Sequence, residues 1–125
     1  MMAFLWVGLG GALGAMGRYG TGLVAGRLFG LAFPWGTLAV NIVGSFLMGF
    51  VAIWIARNLA ATEPVRLFLM TGVLGGYTTF SAFSLDAFSL WERGQPGLAA
   101  TYVAISVIAA LLALLAGIAL GRVLV

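Results

Sequence analysis

The stretch Gly72-Val73-Leu74-Gly75-Gly76-Tyr77-Thr78-Thr79-Phe80-Ser81-Ala82-Phe83-Ser84 decides how this chain folds. It lies inside an apolar run, from about Val65 to Trp91, long enough to cross a bilayer. Two adjacent glycines cost a helix about 2 kcal/mol relative to alanine. The hydroxyl residues that follow offer the main chain alternative hydrogen-bond partners. The pattern predicts a helix interrupted at Gly75-Gly76-Tyr77-Thr78-Thr79. A break frees carbonyl and N–H groups that lipid cannot satisfy, so it must face protein, water or an ion. It is either a kink capped by the threonine hydroxyls or an ion site at which broken helix ends are aimed.

The rest of the chain supports a membrane setting. Of 125 residues, 63% are hydrophobic and 7% are charged, with a mean hydropathy of +1.18. A soluble domain carries about 25% charged residues and could not hide this much apolar surface in one core. Length allows four spans, expected at about Ala3 to Val24, Trp35 to Ile55, Val65 to Trp91 and Leu98 to Val123 of one all-α domain. The connections fall at Arg27 to Pro34, Arg57 to Pro64 and Glu92 to Pro96. The apolar segment Met1 to Val7 reads as the start of the first span rather than a cleaved signal.

The absence of cysteine and histidine excludes thiol, disulfide and imidazole chemistry and the commonest transition-metal sites. The six basic residues are scattered arginines, so nucleic acid is not an expected partner. No paired carboxylates lie within a span, and Gly8-Leu9-Gly10-Gly11 is not followed by the Gly-Lys-Ser/Thr of a phosphate-binding loop. An enzyme is not expected.

Arginine also bears on orientation. Arg57, Arg66, Arg122 and the N-terminal amine fall on one side, Arg27 and Arg93 on the other, with Arg18 deeper in the first span. The near balance is compatible with insertion in both orientations, hence with an antiparallel pair, although a small bias can suffice for one orientation. Small residues at four-residue spacing, Gly10/Gly14, Ser45/Gly49 and Ala109/Ala113/Gly117/Gly121, suit close helix packing, within a subunit or between subunits.

Several polar groups fall at membrane depth, where they are costly. Thr37, Asn41 and Ser45 share a face of the second span. Asn41 could form an interhelical hydrogen bond or donate its amide hydrogens to an ion. Phe80 and Phe83, three apart, could simply pack, or could offer electropositive ring edges to an anion. Tyr102 and Ser106 make a polar track on the fourth span, on the face of its small-residue row. Arg18 and Asp86 are the charges that fall within spans, and a pairing between them would neutralise both.

Three motifs resemble those of the fluoride channels of the Fluc/CrcB family, over essentially the whole chain. They are Gly10-Gly11-Ala12-Leu13-Gly14-Ala15 followed by Gly17-Arg18-Tyr19, then Gly36-Thr37-Leu38-Ala39-Val40-Asn41-Ile42-Val43-Gly44-Ser45-Phe46, and the stretch from Gly72 to Ser84. The resemblance implies four transmembrane helices in an antiparallel, dual-topology homodimer with two pores in the cell inner (plasma) membrane. It implies a structural sodium ion held by backbone carbonyls of Gly75 and Thr78 from both subunits. It also implies a fluoride pathway along Asn41, Phe80, Phe83, Tyr102 and Ser106, with Thr37, Thr79 and Ser81 as further hydroxyl contacts. The expected activity is passive export of fluoride from the cytoplasm. The sequence departs from the family pattern at Ala110 and Ala82, where hydroxyl residues are frequent, and at Asp86, where glutamate is common.

Two other classes fit a small four-helix membrane protein. A small multidrug transporter needs a carboxylate in its first span, and none is present here. A non-transporting membrane subunit has no need of a broken helix with a polar track beside it.

Overall fold

The computed structural model describes residues 1–58 and 60–125, and its elements are helical. Helix α1 (Met2–Phe29) turns through Gly30, which has a positive φ of 80°, and leads into α2 (Trp35–Arg57). Leu59, in the expected second connection, lies outside the described residues. A third rod begins as α3 (Glu63–Arg66), widens to a π-helix over Leu67–Leu74, and tightens again in α4 (Gly75–Tyr77). After Thr78 and Thr79 the chain resumes as α5 (Phe80–Glu92), and α6 (Pro96–Leu124) completes it.

Helices α2 and α6 are each long and apolar enough to cross a membrane. Glycine dilutes the apolar character of α1, and the break divides the third rod. Leu111, Leu112 and Leu115 on α6 are all exposed, as are Leu9, Leu13 and Met16 on α1. Outward apolar faces of this extent suit lipid better than water.

Close backbone approach holds the rods together. A Cβ at Gly14 would run into the carbonyl of Val73, and one at Gly76 would lie 2.6 Å from the Gly11 carbonyl oxygen. Gly10 and Gly72 abut in the same way, so α1 lies directly on the rod that breaks. On the other side of the bundle, Gly49 meets the Leu114 carbonyl and Gly117 meets that of Phe46, which seats α6 on α2. The glycines of these small-residue rows therefore serve packing within the chain. The side-chain core lies elsewhere, where Leu38, Phe83, Leu90, Ala99 and Tyr102 join α2, α5 and α6.

The break is narrower than the sequence suggests. Gly75, Gly76 and Tyr77 remain helical, and only Thr78 (φ −83°, ψ 158°) and Thr79 (φ −153°, ψ 120°) are extended. The glycines let α1 approach; the threonines carry the interruption.

Candidate functional site: a groove beside the helix break

Each exposed backbone group at the break has a local reason for its fate. The N–H and Oγ1 of Thr78 both donate to the Leu74 carbonyl, each at 3.0 Å. Thr79 opens α5 as its N-cap, its Oγ1 accepting the Ala82 N–H at 3.1 Å. Asn41 reaches the break from α2. Its Nδ2 donates to the Thr79 carbonyl at 2.9 Å, and its Oδ1 accepts the Thr79 N–H at 2.8 Å. From α1, Arg18 Nε donates to the Gly76 carbonyl at 3.2 Å. Among the described residues, the carbonyls of Gly75, Tyr77 and Thr78 receive no donor.

These contacts bear on two expectations. Asn41 forms the interhelical hydrogen bond that was one of its two expected roles, and one of its two amide hydrogens is committed to Thr79, leaving the other for a ligand. Arg18 and Asp86 do not pair within the chain. Arg18 is drawn to the carbonyl end of α4, where a cation is favoured. Asp86, two turns into α5, instead accepts the Tyr102 hydroxyl at 3.3 Å.

Beside the break lies a groove of about 360 Å³, with Asn41, Thr79, Phe80, Phe83 and Ser106 in its wall. The Phe80 and Phe83 rings stand 5.4 Å apart, tilted by 58°. Phe83 is 8% exposed, whereas Phe80 is 78% exposed and covers the groove from one side only. Among the described residues, Ser106 Oγ is buried without a hydrogen-bond partner. Tyr102, fully buried, packs against Phe83 with ring centroids 5.3 Å apart and a tilt of 46°. Five of the eight expected pathway residues thus meet in one groove, and Tyr102 touches it through Phe83. Thr37 lines a different cavity, about 250 Å³ in size. Ser81 is exposed and contacts Thr79 Oγ1 at 3.3 Å. Of the two carbonyl-bearing residues expected to hold a cation, Thr78 lines the groove and Gly75 lies on the exposed face of α4.

Sequence reasoning missed Gly44 as a functional position. A Cβ there would strike Thr78 Cγ2, so Gly44 lets α2 lie against the break. It also missed the Thr21–Tyr77 hydroxyl pair at 3.0 Å. Neither leaves a local signal, because each depends on which face of α1 or α2 turns towards the third rod.

An all-helical chain with helices long and apolar enough to cross a membrane defines the class of helical membrane proteins, here with a polar groove beside the break of a helix. The model of the CrcB-like protein, Camphor Resistance (CrcB) family matches residues 5–118, and the chain belongs to that family. It is 56% identical to the fluoride-specific ion channel FluC of Agrobacterium fabrum, over 98% of each chain. It is 54% identical to that of Rhizobium meliloti over 100% of both. The FluC of Cereibacter sphaeroides is 58% identical over 96% of this chain and 94% of its own.

Proposed function

We propose that this protein is a fluoride-selective channel that lets fluoride leave the cytoplasm passively, working as an antiparallel homodimer of four-span subunits in the plasma membrane. The observation that carries this reading is the groove. It combines a free Asn41 amide hydrogen, an unpartnered Ser106 hydroxyl and two phenyl rings. A fluoride ion must exchange strong hydration for donors, and amide hydrogens, hydroxyls and electropositive ring edges supply them. Among the described residues, no carboxylate lines this groove. The named relatives, ion channels rather than enzymes, support the same reading.

The exposure of Phe80 favours a dimer, since a pathway wall open on one side needs a second surface to close it. Two antiparallel copies would give two pores. The balanced arginines support this arrangement. Arg57 Nη1 donates to the Arg122 carbonyl at one end of the bundle, and Arg93 Nη2 to the Ala32 carbonyl at the other.

The break also suits a sodium ion. Among the described residues the carbonyls of Gly75 and Thr78 receive no donor; they lie at the negative end of α4 and are the hard oxygen ligands such an ion prefers. When bound, the ion would supply a positive charge that neutralises these carbonyls and ties the two subunits together. Arg18, already occupied with Gly76, would withhold that carbonyl from the set.

The test is ion efflux from liposomes carrying purified protein, with a potassium ionophore to balance charge and selective electrodes for fluoride and chloride. Rapid fluoride loss with chloride retained is expected. Equal release of both anions, or release of neither from folded dimers, rejects the reading.

A further inference from the structure

The cavity lined by Thr37 is electrically unlike the groove. It opens where α1 passes to α2 and α5 ends, and its wall includes Gly30, Phe33, Thr37, Asp86, Ser89 and Arg93. The Tyr102 hydroxyl donates to Asp86 in this wall. The Tyr102 ring packs at a tilt of 46° against Phe83, which lines the groove. Tyr102 and Phe83 therefore link the Asp86 side of the cavity to the wall of the groove beside the break.

An anion entering this cavity meets the Asp86 carboxylate, which repels it. Among the described residues, the other charged side chain in the wall is Arg93. Its position is held at two points. Its N–H bonds the Ser89 carbonyl at 3.1 Å, ending α5, and Gly94 then turns the chain with a φ of 76°. Its Nη2 reaches across to the Ala32 carbonyl at 3.4 Å in the α1–α2 connection. That contact uses one of the five guanidinium N–H groups. Arg93 thus stands across the opening, at the carbonyl end of α5, where a cation is favoured.

We propose that Arg93 is the anion-capture residue of this entrance, offsetting Asp86 and raising the local concentration of fluoride next to Thr37 and Tyr102. The proposal rests on the fluoride reading above. It makes Arg93 matter for ion entry rather than for passage through the groove. Charge steering can raise capture rates by about 10-fold or more. It fades with salt, because the screening length falls from about 30 Å at 0.01 M to about 3 Å at 1 M.

The experiment compares the full-length protein with Arg93→Gln and Arg93→Lys in liposomes, at low fluoride, with ionic strength set by potassium gluconate. At about 0.01 M the Gln variant should lose roughly threefold or more of the initial efflux rate. It should approach the unmodified protein at about 1 M. The Lys variant should stay close to the unmodified protein throughout, and saturating fluoride should erase the difference. An unchanged rate for Arg93→Gln at low ionic strength overturns the proposal. So does an equal loss at every ionic strength and fluoride concentration, which marks a structural role. Absence of fluoride efflux from the unmodified protein would instead reject the channel reading itself.

Discussion

At the scale of single residues, Asn41 links the break to the groove. One side chain satisfies both main-chain groups of Thr79 and still has an amide hydrogen to spare. Replacing it with alanine leaves a partly buried N–H and carbonyl without partners, at a cost of about 1–3 kcal/mol. Asn41→Ala should therefore lower the melting temperature of the solubilised protein and abolish fluoride efflux. Asn41→Asp keeps the acceptor for the Thr79 N–H but sets a carboxylate oxygen against the Thr79 carbonyl and against any anion in the groove. It should lose efflux even where folding is retained, as size-exclusion profiles and the fluoride electrode together would reveal. That Asn41 matters is legible in the sequence, since an amide at membrane depth demands a partner. Its partner is not legible, because a main-chain group 38 residues away carries no side-chain signature. The same holds for Arg18. Its depth is evident from the sequence, which offers a carboxylate as the counterpart, yet a helix-end carbonyl satisfies it.

At the scale of elements, glycine and threonine divide the labour at the break. The expectation that Gly75 and Gly76 interrupt the helix came from their intrinsic helix cost. Tertiary packing overrides that cost. Gly76 takes the α1 backbone in van der Waals contact, while Thr78 and Thr79 can leave the helix because Leu74, Ala82 and Asn41 satisfy them. The expected interruption at Gly75 to Thr79 includes Thr78 and Thr79, the two residues that leave the helix, but does not single them out from the glycines, since cost per residue says nothing about which face of α1 lies opposite. This division gives a paired prediction. Gly14→Ala places a Cβ against the Val73 carbonyl and should destabilise the protein by about 1–3 kcal/mol, measured by thermal unfolding in detergent. Gly8→Ala, with open space around it, should leave the melting temperature level or raise it slightly.

At the scale of the whole molecule, the expected helix limits fall close to the observed ones, except that α1 runs on to Phe29, past the Val24 end expected for its span. Hydropathy and charged breaks place rods well. They do not say how two copies meet, and the antiparallel dimer remains a proposal resting on the uncovered Phe80 and the balanced arginines. It has its own test. Adding two arginines beside Met1 biases orientation and should silence efflux when that variant is expressed alone. Co-expression with a variant biased by arginines near Gly94 should restore it. Full activity from a single-orientation population would exclude the antiparallel arrangement. The central claim, that fluoride passes through the groove beside the break, is tested most directly by fluoride efflux from liposomes bearing Phe80→Ile. Isoleucine preserves bulk and apolarity while removing the electropositive ring edge. The account predicts a fall of about tenfold or more, equivalent to some 1.4 kcal/mol, with dimer size unchanged. An efflux rate equal to that of the unmodified protein would place the fluoride path elsewhere.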